Sequence, residues 1–355
     1  MQNKRIAIYS NSWDTNAGGG IVYILAIAKI LTQRGYDTTV FFYDSVKLSE
    51  LYDRYETFGL KIKIINRKPS PLFFQFKFAL KECLNFDVVI QQSLIAPRLT
   101  FIRKSFILTD FPMKKIVTVS ENIRLKSWRN IIVNSEFTNF WVRKYWKRSS
   151  NVIYPPIETP VTLNIKKNDD IVCIGRFNQG KRSKKQEVII QVVIDLIKNK
   201  TIKSKLHLIG YIQDNDYFNS LKLQSKDYPI YFYDKCSSEK RNEILNNSAI
   251  FISACGFEID EEKEPMYLEH YGISVVEAMS FGCIPLVIGK GGHKETVENK
   301  INGYHWQTIE ELKENIVELF ENNLLREEMS LNAFEKSKLY SYDCLQNSIL
   351  KLIVK

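Results

Sequence analysis

The chain of 355 residues has no apolar run approaching the ~20 residues that a membrane-spanning helix requires. Its start, MQNKRIAIYS, has two basic residues and then turns polar, which is not the pattern of a signal peptide. These absences predict a cytoplasmic protein. Cysteine is sparse: Cys83, Cys173, Cys236, Cys255, Cys283 and Cys344 are scattered, with no C-x-x-C pair and no histidine at zinc-finger spacing. Buried, reduced thiols are expected, and a structural zinc is not. Histidine is sparser still, and His207, His270, His293 and His305 all lie in the second half. No low-complexity tract favours disorder. No G-x-G-x-x-G is present, so the dinucleotide fingerprint is not met. No D-x-D motif stands out at a strand end, which speaks against a bound metal.

What remains is ordinary in bulk and uneven in detail. Hydrophobic residues make up 45% and charged residues 25%, as in soluble globular chains. The length predicts two domains of about 150–200 residues. Net charge is +10, yet residues 1–155 hold 24 Lys and Arg against 11 Asp and Glu, and the remainder is slightly acidic. A basic first half suits phosphates, an anionic membrane surface or an acidic acceptor; a merely solvated lysine-rich surface explains it equally well.

The chain repeats one rhythm twice. KRIAIYS reads as a buried strand, IVYILAIAKILTQRG as a helix with a glycine stop, and TTVFFYD as the next strand. Further strand-like runs are KIKII, DVVIQQS, SFILTD, KIVTVS and NIIVNS. The second half offers DIVCIGR, the amphipathic helix QEVIIQVVIDLIKN, then KLHLIGY, PIYFYD, AIFISA and CIPLVIG. Alternating strands and helices imply an α/β fold with parallel sheets. Tyr154-Pro155-Pro156 blocks helix, and it sets the predicted boundary between 1–156 and 157–335. From Ile309 onward the apolar spacing is helical.

Four stretches can carry chemistry. Asn16 to Gly20, with Gly19 and Gly20 just ahead of a helix, lets a backbone approach a phosphate; a flexible connection is the plain alternative. Arg176 leaves a strand end in GRF, followed by the basic loop NQGKRSKKQ, where Lys184 lies; fixed cations there can neutralise a diphosphate. In EHYGISVVEAMSFG, Ser274-Val275-Val276-Glu277 fits a capping box, a sufficient structural reason for Glu277. Gly272, Ile273 and Ser274 would also offer free amides to an anion, with Glu277 beside ribose hydroxyls and Glu269 reaching the group attached to the phosphate. Gly289 to Glu295 suits either backbone approach to a ligand or a turn.

In this order the pieces resemble the retaining GT-B glycosyltransferases of family 4. The resemblance rests on Glu269 and Glu277 as E-x7-E, on the following GG, E and NGYHW, and on the glycine loop, IVNSEFT, YPP, and GRF with KKQ. It spans nearly the whole chain. It implies two Rossmann-like domains facing each other across a cleft, with the C-terminal helix, 336–355, crossing back to the first domain. The first would be the acceptor side, and the second would bind the nucleotide sugar. It implies catalytic roles for Glu269, Arg176 and Lys184, and donor binding by Gly19, Gly20, Gly272, Ile273, Ser274 and Glu277. No metal or other cofactor is implied, and the nucleotide-diphosphate sugar is a co-substrate. The acceptor would be a glycan or a lipid-linked glycan in surface polysaccharide or glycoconjugate synthesis. An anionic membrane surface, on the inner face of the membrane, is a further expected partner; nucleic acid is not. Related sequences often place a histidine before Phe-Pro in the first domain, where ILTDFPM has Asp110. Asp110 is therefore a candidate catalytic residue, or the mark of an altered protein that only binds a sugar nucleotide or a glycan.

Overall fold

The computed structural model describes residues 4–10, 18–43, 59–65, 72–160, 163–164 and 166–354. Residues 11–17, with Asn16 and Ala17, lie outside the described residues. The chain forms two compact units: Met1–Pro156 with Tyr342–Lys355, and Ile157–Ser341. The sequence places these divisions at 156 and 335.

The first unit is built on β1 (Arg5–Tyr9), β2 (Asp37–Tyr43), β3 (Lys61–Ile65), β4 (Val88–Gln92), β5 (Lys104–Thr109), β6 (Asn130–Val133) and β7 (Asn151–Val152). They pair in parallel in the order β3-β2-β1-β4-β5-β6-β7. Ile6, Ala7 and Ile8 of β1 are wholly buried, because helices cover a parallel sheet on both faces and leave no polar alternation. Among these helices are α1 (Gly19–Gln33), α2 (Leu72–Asn85), α3 (Val119–Ser127) and α4 (Glu136–Trp146).

KIVTVS at 115–120 does not form the predicted strand. Thr118 caps α3 instead: its hydroxyl accepts from the Glu121 amide at 3.1 Å, and the Glu121 carboxylate accepts from the Thr118 amide at 3.1 Å. A capping box satisfies helix-start amides that a strand would have paired with a neighbour.

The second unit carries β8 (Asn168–Ile174), β9 (Leu206–Gly210), β10 (Ile230–Asp234), β11 (Ser248–Ser253), β12 (Ile284–Ile288) and β13 (Tyr304–Trp306), in the parallel order β10-β9-β8-β11-β12-β13. Its helices are α5 (Gln186–Lys198), α6 (Asn215–Ser225), α7 (Ser238–Asn247), α8 (Ile273–Ser280), the single turn α9 (His293–Thr296), α10 (Ile309–Glu321) and α11 (Asn323–Ser337). The chain then returns to the first unit as α12 (Tyr342–Val354). Leu345, Ile349 and Ile353, spaced four apart, are buried in one cluster with the apolar face of α1.

In each sheet the strand order reverses once, beside β1 and β4 in the first and beside β8 and β11 in the second. Ligands of open α/β sheets bind beyond the strand C-termini at such points. The ends of β1, β4 and β5 bring together Ser10, Gln92 and Asp110. The ends of β8, β11 and β12 lead into Gly175, Cys255 and Gly289.

Candidate functional site

In the second unit, the turn after β8 is fixed by close backbone approach. A Cβ on Gly210 would stand 2.0 Å from the Gly175 carbonyl oxygen, and a Cβ on Gly175 would stand 2.3 Å from Lys184 Cγ. The stem of Lys184 therefore lies directly over Gly175. Gln186, the last letter of KKQ, holds the turn. Its side-chain amide donates to the carbonyls of Gly175 (3.2 Å) and Arg176 (3.0 Å), and Tyr217 donates to its oxygen at 3.0 Å. Sequence reasoning passed over Gln186; its signal was a polar residue opening an otherwise apolar helix.

Lys184 and Glu269 form a part-buried ion pair across 85 residues. Burial pushes the Glu269 carboxyl up, but Lys184 and the nearby His293 outweigh it and hold it at about 2. Burial likewise works against the Lys184 ammonium, and Glu269 more than offsets it, raising Lys184. Breaking such a pair from one side costs about 3–5 kcal/mol, because a charge is left buried alone. Arg176 is exposed and makes no ion pair among the described residues. Its charge is open to a ligand, whereas that of Lys184 is shared with Glu269.

Glu269 sits on a backbone gripped by the second glycine pair. The Gly292 amide donates to the Glu269 carbonyl at 2.8 Å. A Cβ on Gly291 would meet that carbonyl oxygen at 2.4 Å, and one on Gly292 would meet the His270 carbonyl at 2.2 Å. The close approach expected of this glycine stretch is thus made to the chain's own 269–271 backbone.

The capping box expected at Ser274 and Glu277 does not form. Gly272 caps α8 instead, with φ 95, and supplies no side-chain acceptor to the helix-start amides. This left-handed conformation, easy only for glycine, starts the helix two residues early and leaves Ser274 inside the first turn. Among the described residues no acceptor meets the amides of Gly272, Ile273 and Ser274. The orphan amides of a helix start attract anions. A Cβ on Gly272 would lie 3.3 Å from Glu269 Cγ, so this start adjoins the Lys184–Glu269 pair.

Released from capping, Glu277 faces Arg241 on α7, with Oε1 to Nη1 3.7 Å. Burial raises its pKa, Arg241 lowers it, and Glu158 raises it again. Glu158, Arg241 and Glu277 line a cavity of about 160 Å³ with Pro160, Leu245 and Phe281. Arg241 had no sequence signal, because a lone arginine on a polar helix reads as solvated.

In the first unit, Gly20 rather than Gly19 makes the close approach. A Cβ there would stand 2.6 Å from Gln92 Nε2 and 3.0 Å from Asp110 Oδ2. Gln92 Nε2 donates to Asp110 Oδ2 at 3.0 Å. Thr138 donates to the Asp110 carbonyl at 2.9 Å, and Ser135 caps α4 by accepting from the Thr138 amide at 3.0 Å. The NSEFT letters thus anchor the end of β5. Burial raises the Asp110 pKa, and Gln92 only partly offsets it. A carboxyl whose folded pKa is raised loses stability as pH climbs through that range. Asp110→Asn is therefore expected to melt higher than the native chain at pH 7, with the gap closing below pH ~4. An unchanged gap in a pH series of melting curves would reject the burial argument.

The letters D-x-D do occur at Asp214–Asp216, where Asp214 caps α6 by accepting from the Tyr217 amide at 3.0 Å.

Comparison with known proteins bears on the whole arrangement. Residues 158–336, just over half of the chain, match the family described as "Glycosyl transferases group 1". A "GDP-Man:Man(3)GlcNAc(2)-PP-Dol alpha-1,2-mannosyltransferase" of Dictyostelium discoideum is 26% identical over 245 residues, covering 63% of this chain and 46% of that protein. The chain spans less than half the length of the curated relatives it matches. A solved glycosyltransferase from Rickettsia africae superposes with TM-score 0.75 at 17% identity, over 99% of this chain and 98% of that one. Anabaena Alr3699/HepE, solved with UDP and glucose, gives TM-score 0.72 at 15% identity, over 99% and 100%. These likenesses show the GT-B fold. With its matching family region running from just after the first unit to the end of α11, the chain belongs to the glycosyl transferases group 1.

Proposed function

We propose that the protein is a retaining, metal-independent glycosyltransferase that moves a hexose from a nucleotide diphosphate to an acceptor hydroxyl. The observation that carries this is the open start of α8 at Gly272, its amides unspent, beside the Lys184–Glu269 pair. The diphosphate would accept from the amides of Gly272, Ile273 and Ser274. Arg176 and Lys184 would neutralise the charge that builds on it as the bond from the sugar's anomeric carbon to phosphate oxygen breaks. The acceptor oxygen bonds to the same face of that carbon, and its proton passes to the departing phosphate. Glu269, ionised, accepts from hydroxyls of the transferred sugar, and Glu277 from those of the ribose. Gly20 and Asp110 would serve the first unit's part in binding. The protein's work is positioning and fixed positive charge, which needs no metal.

The names of relatives favour mannose from a GDP donor and a lipid-linked glycan acceptor; the Anabaena structure contains UDP and glucose. A thermal-shift panel of GDP-, UDP-, ADP- and TDP-sugars tests the reading, since a donor that binds only the folded state raises the melting temperature by mass action. A shift with one base is expected, followed by transfer in excess EDTA. Transfer that stops in EDTA and returns with Mn²⁺ would overturn metal independence. Donor binding without transfer to any acceptor would favour the altered binding protein suggested by Asp110.

Glu277→Ala should weaken nucleotide affinity at least about tenfold, since each lost hydrogen bond to a charged group is worth about 1.5–3 kcal/mol. Calorimetry showing native affinity would remove Glu277 from the ribose site and leave it only its contact with Arg241.

A further inference from the structure

We infer that α3, the loop before it and α4 form a docking surface for an anionic lipid bilayer. Between residues 111 and 148 there are nine Lys and Arg against only Glu121 and Glu136. Glu121 is buried and already occupied: it accepts from the Val117 and Thr118 amides and pairs with Lys114 at 2.7 Å. Large aliphatic groups stand out of the same surface, with Val117 74%, Val119 78% and Ile123 54% exposed. Single exposed apolar residues mean little. Here Val119, Ile123 and Lys126 share one helical stripe, and Phe140, Arg143 and Lys144 share another, each mixing apolar groups with cations; exposed Lys147 follows as the left-handed cap of α4.

The two helices are tied into one rigid piece. Trp146 Nε1 donates to the Lys114 carbonyl at 3.1 Å, and Arg148 donates to the carbonyls of Leu125 (3.2 Å) and Trp128 (3.1 Å). The protruding valines are therefore held in place before any partner arrives, which lowers the ordering cost of binding. The chemistry selects the occupant. A nucleic acid would need several exposed rings on which successive bases stack, but Trp128, Trp141 and Trp146 are all buried, and of the two stripes' residues only Phe140, 52% exposed, offers a ring. Short aliphatic side chains framed by lysines instead match acyl chains beneath acidic headgroups.

The test is flotation of the full chain with vesicles of phosphatidylcholine alone or mixed with phosphatidylglycerol, and it does not depend on the proposed activity. Binding is expected only to the acidic vesicles and should weaken steeply with salt. Lys126→Gln, Arg143→Gln and Lys147→Gln should each lower it about fivefold. The triple change Val117→Ser, Val119→Ser and Ile123→Ser should remove the salt-resistant remainder. Equal flotation on both vesicle types, none on either, or full binding by both variant sets would overturn the inference. So would salt-steep binding of a random oligonucleotide, sensitive to the same substitutions, in a chain that does not float. Melting temperatures of these exposed variants should match the native one.

Discussion

Lys184→Met is expected to lower sugar transfer by about 10²–10³-fold, the usual cost of losing one charge-stabilising group at a developing anion. It should also lower the free energy of unfolding at pH 7 by about 3–5 kcal/mol, because Glu269 is left buried without its cation. Methionine keeps the stem that covers Gly175, so lost packing contributes little. The pH dependence separates charge from shape. Glu269 sits at about 2 in the folded chain, against an ordinary 4.5. A depressed carboxyl contributes stability that is complete above about 4.5 and disappears as pH falls towards about 2. Without Lys184 that depression is largely gone. Native and variant denaturation midpoints should therefore differ most near neutrality and converge below pH 3. A difference that stays constant from pH 7 to pH 3 would mean that the ion pair is not what Lys184 supplies.

Gly210→Ala is the second large effect, and it lies on a strand carrying none of the proposed ligand contacts. The added methyl would stand 2.0 Å from the Gly175 carbonyl oxygen, 2.8 Å from its carbon and 3.3 Å from the Phe177 ring. None of these is the free end of a flexible side chain. The Gly175 amide also donates to the Ile209 carbonyl at 2.8 Å, so β8 and β9 have to part at their ends. Overpacking of this kind costs about 1–3 kcal/mol. The larger loss falls on activity, because Arg176, Gln186 and Lys184 all take their positions from this turn, and a misplacement of about 1 Å can cost 10²-fold. Turnover at saturating donor should drop far more than the melting temperature suggests. Native turnover in a folded variant would show that the turn tolerates the shift.

The sheets were legible because strands buried on both faces read as unbroken apolar runs, as in IAI of β1 and IPLVI of β12. Legibility failed where a polar side chain or a glycine decided the outcome. KIVTVS has a β-branched pattern, yet one reciprocal bond pair between Thr118 and Glu121 makes it a helix start. Ser274-x-x-Glu277 has the letters of the same device and does not form it, because Gly272 turns the chain two residues earlier. The phenylalanine-rich α2 carried no helical expectation at all. Within the candidate site, Glu269, Arg176 and Lys184 were singled out from motif order. That Lys184 pairs with Glu269, and Arg241 with Glu277, follows from strand order, which no local spacing reveals.

The return of α12 to the first unit has a bearing on biosynthesis. The second unit is one continuous segment, Ile157–Ser341, so all of its own sequence is available once that segment has left the ribosome. The first unit emerges earlier but cannot finish. The apolar face of α1 that shares a buried cluster with Leu345, Ile349 and Ile353 lacks that cover until the helix after Ser341 is released. The order of completion is therefore the reverse of the order of synthesis. An apolar strip on the first-made half has to be shielded from other nascent chains throughout translation of the second.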